Sequence, residues 1–123
     1  MSKRVLNVGQ CNPDHASISS FLARHFDVAV ARTHQLDDTM AELGNQAYDL
    51  VLINRKLDID YTEGALILDA IKQHADYQSI PVMIVSNHAN AQAAAVEQGA
   101  EYGFGKAEYD QPEVVARLKK LLE

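Results

Sequence analysis

Apolar runs rich in β-branched residues alternate along the whole chain with longer segments whose apolar residues recur at helical spacing. Each run is short enough for a strand, and each intervening segment is long enough for a helix. Repeated strand–helix units require a parallel sheet covered by helices, because parallel strands need long crossover connections. This pattern constrains the fold more than any single residue does.

The expected strands share a high apolar content and are, in chain order, Val5–Val8, Phe26–Ala31, Leu50–Ile53, Ile80–Val85 and Tyr102–Phe104. Right-handed crossovers leave few topologies for such units. We therefore predict one flavodoxin-like, doubly wound α/β domain over residues 1–123, with strand order 2-1-3-4-5 and helices on both faces. Functional side chains of this fold class lie at the carboxyl ends of the strands.

Capping residues mark the expected helix boundaries. Asn12-Pro13 predicts a helix start, with Asn12 as the cap and Pro13 as the first helical residue. Gly99 predicts the end of the fourth helix, and Asp110–Glu113 forms a capping-box pattern before the fifth. The third helix is expected over Thr62–Ala75, with an apolar face made by Leu66, Ile67, Ala70 and Ile71.

The composition excludes several classes of function. The net charge of −6 disfavours nucleic acid as a partner, because phosphate backbones select basic surfaces. No apolar stretch approaches the roughly 20 residues that span a bilayer, so no membrane contact is expected. The N-terminus does not have the pattern of a signal peptide. A single cysteine, Cys11, excludes an internal disulfide and indicates a reducing, cytoplasmic location.

Five segments together resemble the receiver domain of response regulators, which takes part in two-component phosphorelay signalling. They are Arg4–Val8, Tyr48–Asn54, Ile80–Ser86, Gly99–Glu101 and Lys106. The resemblance covers nearly the whole chain and depends on the order and spacing of these segments. It implies an aspartate at the end of the third strand that accepts phosphate from a histidine kinase. It also implies an acidic pair after the first strand that helps to hold Mg²⁺.

The acidic positions of that family pattern carry no acid in this chain. Asn54 stands at the phosphoacceptor position, and Gly9 and Gln10 stand at the acidic pair. A register shifted by one would place Gln10 and Cys11 there, again without a carboxylate. Mg²⁺ requires near-octahedral oxygen ligands, usually with carboxylates among them, and an amide cannot form an acyl phosphate. We therefore expect no Mg²⁺ binding, no phosphorylation at Asn54 and no enzymatic activity.

Two polar positions of the family pattern are retained. Ser86 occupies the position of the hydroxyl residue after the fourth strand, and Lys106 occupies the position of the lysine after the fifth. We expect Lys106 to donate to the Asn54 carbonyl and Ser86 to complete the network. Gly103 stands where an aromatic residue usually precedes the lysine, and the loop 54–64 is longer than usual.

These features predict a receiver-like module, a pseudo-receiver, that acts through protein–protein interaction without phosphorylation. By resemblance, its contact surface is Ala89–Glu123, which includes the fourth helix, the fifth strand and the fifth helix. We expect the partner to be another signalling protein, and a second copy of the chain, forming a homodimer, is the other possibility. The alternative is a sensor that binds a small molecule or an anion with Gln10, Asn54, Ser86 and Lys106.

Other polar residues allow less favoured interpretations. Asp58, Asp60 and Glu63 could form a cation site in the long loop, although a solvated acidic loop fits them better, and Asp58 could instead accept phosphate. Cys11 precedes a helix N-terminus, where thiols become more acidic, but an ordinary loop cysteine is favoured. No two of the five histidines are spaced as a close zinc-ligand pair. Asn7 interrupts a central strand, and the sequence assigns it no role.

Overall fold

The computed structural model describes residues 2–109 and 111–123. Its strands are β1 (Lys3–Val8), β2 (Val28–Thr33), β3 (Leu50–Asn54), β4 (Val82–Val85) and β5 (Glu101–Phe104). Its helices are α1 (Asn12–His25), α2 (Leu36–Asn45), α3 (Ala65–Gln73), α4 (Ala89–Glu97) and α5 (Pro112–Leu122). The strands form one parallel sheet in the order β2-β1-β3-β4-β5. The predicted fold class and strand order are confirmed.

The sheet divides the apolar core into two layers. Along β3, Val51 and Ile53 pack in the layer that contains α2, α3 and α4, whereas Leu50 and Leu52 pack in the layer that contains α1 and α5. All four side chains are fully buried. Successive strand residues point to opposite faces, so a strand that is apolar at each of these positions requires helices on both sides. Each such burial contributes about 1.5–3 kcal/mol.

The start of β2 and the cap of α1 differ from the predictions. β2 begins at Val28 and not at Phe26, because the Phe26 N–H donates to the Leu22 carbonyl at 2.8 Å and closes α1. The Phe26 ring is buried in the layer with α1 and α5. α1 begins at Asn12 with Cys11 at the cap position, so the prediction of Asn12 as the cap is wrong.

The third helix is shorter than predicted. α3 begins at Ala65 because the residues before it form a loop, in which Lys56 and Glu63 pair as an isolated antiparallel bridge. This loop changes which side chains α3 buries. Leu66, predicted on the apolar face, is 59% exposed, and Leu68 is fully buried instead.

The later helix boundaries agree better with the sequence. α4 ends before Gly99, whose φ of +104° lies in the left-handed region that glycine adopts without strain. α5 begins at Pro112 with Gln111 at the cap position. The predicted capping box of Asp110 and Glu113 lies partly outside the described residues. Within the described residues, no helix has the length and apolar content that would let it cross a membrane.

Candidate functional site

An open cavity of about 380 Å³ lies at the carboxyl ends of β3 and β4. Its lining brings together Asn54, Ser86 and Lys106, which the sequence places at the ends of three different strands. Cys11 and Asp14, from the start of α1, also line it. This is the edge of the sheet where the fold class places ligand sites, so the arrangement of these side chains decides what the cavity can do.

Asn54 ends β3, and its side-chain amide acts as a hydrogen-bond donor. Asn54 Nδ2 donates to the Gly9 carbonyl at 3.2 Å, and the Asp58 N–H donates to the same carbonyl at 2.9 Å. These two bonds tie the end of β1 to β3 and to the loop that follows it. An ionised aspartate at position 54 would have no hydrogen to donate, and it would place an oxygen against the carbonyl oxygen. An amide therefore suits this contact better than a carboxylate.

Leu57 fills the space beside Gly9, at the first position of the expected acidic pair. A Cβ added to Gly9 would lie 2.5 Å from Leu57 Cδ2 and 3.3 Å from Leu57 Cα. Gly9 also has a φ of +75°, which strains any residue with a side chain. Leu57 itself is 2% exposed and belongs to the apolar core. A side chain at position 9 would therefore require Leu57, and the loop that carries it, to shift.

Gln10, the second position of that pair, is fully buried and is not among the described residues that line the cavity. The Arg32 guanidinium donates to its backbone carbonyl at 2.9 Å. Neither polar atom of the Gln10 side-chain amide has a hydrogen-bond partner in the described part of the chain. The structure therefore does not place Gln10 among the ligands of the pocket. In the shifted register, Cys11 does line the cavity, but Cys11 supplies a thiol and not a carboxylate.

Lys106 binds Asp14, and the prediction that it donates to Asn54 is wrong. Lys106 Nζ lies 2.6 Å from Asp14 Oδ2, which also accepts the Cys11 thiol hydrogen at 3.1 Å. Burial raises the pKa of Asp14, but the hydrogen bonds from Lys106 and Cys11 outweigh burial and lower this pKa below its usual value. The cavity thus contains a carboxylate that the sequence analysis missed. The available signal was an acid in the first turn of α1, where the helix dipole favours negative charge.

Ser86 closes the turn between β4 and α4. Its Oγ accepts the His88 N–H at 3.1 Å, and its own N–H donates to the Phe104 carbonyl at 3.0 Å. Ser86 is 8% exposed. The hydroxyl is therefore used as a local acceptor for the backbone, which is a structural use common for serine in turns.

Gly103 lies beside a buried amide at the position where the family pattern has an aromatic residue. Gln92 of α4 donates from Nε2 to the Ile84 carbonyl at 2.8 Å and accepts the Gly103 N–H on Oε1 at 2.8 Å. A Cβ on Gly103 would lie 2.3 Å from the Ile84 oxygen. Gln92 therefore links α4, β4 and β5, and position 103 has no room for a ring that could swing towards Ser86.

Two carboxylates, those of Asp14 and Asp58, line the cavity, and they are not part of a three-ligand group for a metal ion in the described part of the chain. Mg²⁺ needs near-octahedral oxygen ligands, yet the carboxylate of Asp14 is engaged by Lys106, and Asn54 directs its donor to Gly9. Across the described residues, no group of three or more His, Cys, Asp or Glu side chains is arranged to hold a metal ion. The same finding applies to Asp58, Asp60 and Glu63 in the loop after β3, and to the five histidines.

Asn7 contacts α1. Asn7 is fully buried, and its Nδ2 lies 3.1 Å from His15 Nδ1. Burial lowers the pKa of His15, and the charges of Arg32 and His34 lower it further. A neutral imidazole can accept this hydrogen bond at Nδ1. Asn7 therefore joins β1 to α1 by a polar contact.

Comparison with solved structures identifies proteins of similar architecture. A candidate response regulator from Chloroflexus aurantiacus J-10-fl superposes with a TM-score of 0.83 over 98% of both chains, at 17% identity. HP1043, an orphan response regulator of H. pylori, gives 0.72 at 25% identity over 99% of this chain and 98% of that one. NtrX from Brucella abortus gives 0.79 at 22% identity over 99% of this chain, which spans 27% of the NtrX chain.

These likenesses define the class of fold. The chain has the fold of response-regulator receiver domains, with the five-stranded parallel sheet in the order 2-1-3-4-5. No family model and no curated protein sequence matches the chain. The structural comparison with NtrX also shows that a domain of this fold occurs as part of a longer protein.

Proposed function

We propose that this chain is a receiver-like signalling domain that works without phosphorylation and acts by binding another signalling protein. The observation that carries the proposal is the contact of Asn54 with the Gly9 carbonyl, with Leu57 packed beside Gly9. Together these contacts replace the carboxylates that a phosphate-accepting site would require. The similarity to response regulators in fold supports the signalling part of the proposal.

The proposed contact surface is Ala89–Glu123. It exposes Val96 on α4 and Tyr102 on β5, at 43% and 46% respectively. The Arg117 guanidinium lies 4.9 Å from the centre of the Tyr102 ring, and this contact holds a cation beside exposed apolar surface. Aromatic and arginine side chains together are characteristic of protein interfaces. A homodimer through this surface is the alternative to a different partner, and the proposed location is the cytoplasm.

An anion sensor is the second candidate, because the cavity has a basic side. Arg55, Lys56 and Lys106 line it, opposed by the carboxylates of Asp14 and Asp58. The ion pair with Asp14 occupies Lys106, which weakens this candidate. A thermal-shift series with phosphate, acetyl phosphate and nucleotides separates the two functions. A true ligand raises the unfolding temperature progressively with its concentration, whereas the interaction module responds to none of them.

Incubation with acetyl phosphate and Mg²⁺, followed by intact-mass measurement, tests phosphorylation independence. We expect the mass of the chain to stay unchanged, because the amide of Asn54 cannot form an acyl phosphate. The variant Asn54→Asp tests whether an aspartate at this position is sufficient for phosphorylation. We expect it to stay unmodified too, because Leu57 still fills the space beside Gly9. A stoichiometric phosphoryl adduct on the natural chain would contradict the proposal. If Asp58→Asn then removed that adduct, the phosphoacceptor would be Asp58.

A further inference from the structure

Exposed apolar side chains are concentrated beside the loop between β3 and α3. Leu36 and Leu66 line a groove of about 180 Å³ between the starts of α2 and α3. Ile59 and Tyr61 flank Asp60, which lines the same groove, whereas Tyr61 itself lines the neighbouring cavity at the ends of β3 and β4. Leu66 is 59% exposed and Tyr61 is 77% exposed. Within the described residues, the other two exposed large apolar side chains lie on α4 and β5. We call the surface formed by residues 36–37, 59–62 and 66 the loop face.

The backbone of the loop face is held in one conformation. The Leu57 N–H donates to the Thr62 carbonyl at 2.9 Å, and the Tyr61 N–H donates to the Leu57 carbonyl at 2.8 Å. The Thr62 N–H donates to Asp60 Oδ1 at 3.0 Å. Tyr61 has a φ of +60°, a conformation that is unfavourable for a residue with a large side chain. The loop thus keeps an exposed aromatic ring at a strained position, and such strain often marks a functional surface.

The charge around the groove is negative. Asp37 and Asp60 line it, and the described lining contains no basic side chain. Asp58 and Glu63 are exposed in the same loop. Arg55 and Lys56 are exposed basic residues at the start of this loop, and Lys56 pairs with Glu63 in the isolated bridge. An apolar patch with an acidic border favours a partner that carries apolar side chains among basic ones.

We infer that the loop face is a docking surface for a basic, amphipathic segment of a partner protein. It lies outside Ala89–Glu123, so it is a second surface and does not depend on the proposed contact there. The acidic border repels nucleic acid and anionic membranes. It also repels a second copy of this chain, whose loop face carries the same charges. Leucine-type side chains of the partner would enter the groove between Leu36 and Leu66, and its lysine or arginine residues would meet Asp37 and Asp60.

Nuclear magnetic resonance titration of the isotope-labelled chain can locate such binding. The probe is a short synthetic helix of leucine and lysine with leucine at helical spacing, and its control is the same helix with glutamate in place of lysine. We expect the lysine helix to shift the amide signals of residues 36–37 and 57–66, with an affinity that falls as salt is added. The glutamate helix should leave these signals in place.

Variants of the loop face then test the contribution of single side chains. Leu66→Ser should weaken binding of the lysine helix by about tenfold, because the apolar contact that Leu66 would bury against the helix in the complex is lost. Leu36→Ser should weaken binding as well, because Leu36 lines the same groove and is 41% exposed. Ala23→Ser on α1 is the control and should leave the affinity unchanged, because Ala23 is exposed and lies outside the loop face, the cavity and the proposed contact surface. Equal urea unfolding midpoints would show that all three variants fold.

Three results would overturn the inference. The lysine helix could shift signals of the cavity or of Ala89–Glu123 in place of the loop face. The glutamate helix could bind equally well, which would exclude charge recognition. The free chain could also self-associate through the loop face, detected by sedimentation at rising concentration, which would assign the surface to a second copy. None of these results bears on phosphorylation independence, because the acetyl phosphate experiment measures a different site.

Discussion

Asn54 differs from aspartate by one donor group, and this difference changes which atoms can stand beside the Gly9 carbonyl. The amide donates to that carbonyl, whereas a carboxylate would repel it. Lys106, at the same edge of the sheet, pairs with a residue of α1. Positions 9 and 10 carry no acid, and the Lys106 ammonium forms an ion pair with Asp14. Both side chains therefore make contacts within the chain itself at the edge of the sheet.

The ion pair between Lys106 and Asp14 predicts a specific dependence of stability on pH. Because the pKa of Asp14 is lowered in the folded chain, its contribution to stability is present above the usual value of 3.8 and is lost as pH falls through the lowered pKa. Asp14→Asn should therefore be less stable than the natural chain at neutral pH, and the difference should disappear in acid. Urea unfolding across this pH range measures it.

Asp76→Asn provides the control for this comparison, because Asp76 is exposed. This variant should follow the natural chain closely at every pH, within the small range usual for surface substitutions. A difference for Asp14→Asn that persists unchanged in acid would show that the carboxylate charge does not supply the stability.

Gln92 makes α4, β4 and β5 one connected unit. Its amide donates to the carbonyls of Ile84 and Ser86 at 2.8 and 3.2 Å and accepts the Gly103 N–H at 2.8 Å. The register of β4 and β5 shifts between Met83 and Val85, and the Gln92 amide bonds to backbone groups beside that irregularity. A side chain from a helix therefore completes the hydrogen bonding of the sheet. This connection also fixes one end of the proposed contact surface.

Replacement of Gln92 should be costly for this unit. Gln92→Leu would introduce an apolar side chain of similar size and leave the Gly103 N–H without its buried partner. We expect the free energy of unfolding to fall by about 2 kcal/mol or more. Gln98→Leu is the control, because Gln98 is exposed at the end of the same helix, and it should change stability by less than about 0.5 kcal/mol. Equal effects of the two variants in urea unfolding would contradict this role of Gln92.

The fold of the whole molecule could be predicted from the sequence, because the alternation of strand and helix patterns is local information. Asn54, Ser86 and Lys106 could be placed at one edge, since the ends of parallel strands meet there. The contacts that these side chains make could not be predicted from the sequence. Asp14 and Lys106 are 92 residues apart in the chain, and their pairing depends on how α1 packs beside β5. Likewise, a loop of unusual length did not indicate that Leu57 would fold over Gly9.

We propose that this chain, which has the receiver fold, does not carry out the chemistry of a phosphate-accepting site. The most direct measurement is a nuclear magnetic resonance titration of the labelled chain, first with Mg²⁺ and then with beryllofluoride, a mimic of the phosphoryl group. We expect the amide signals of Gly9, Asn54, Ser86 and Lys106 to stay in place throughout. Saturable shifts at these four residues, appearing with Mg²⁺ and increasing with beryllofluoride, would contradict it.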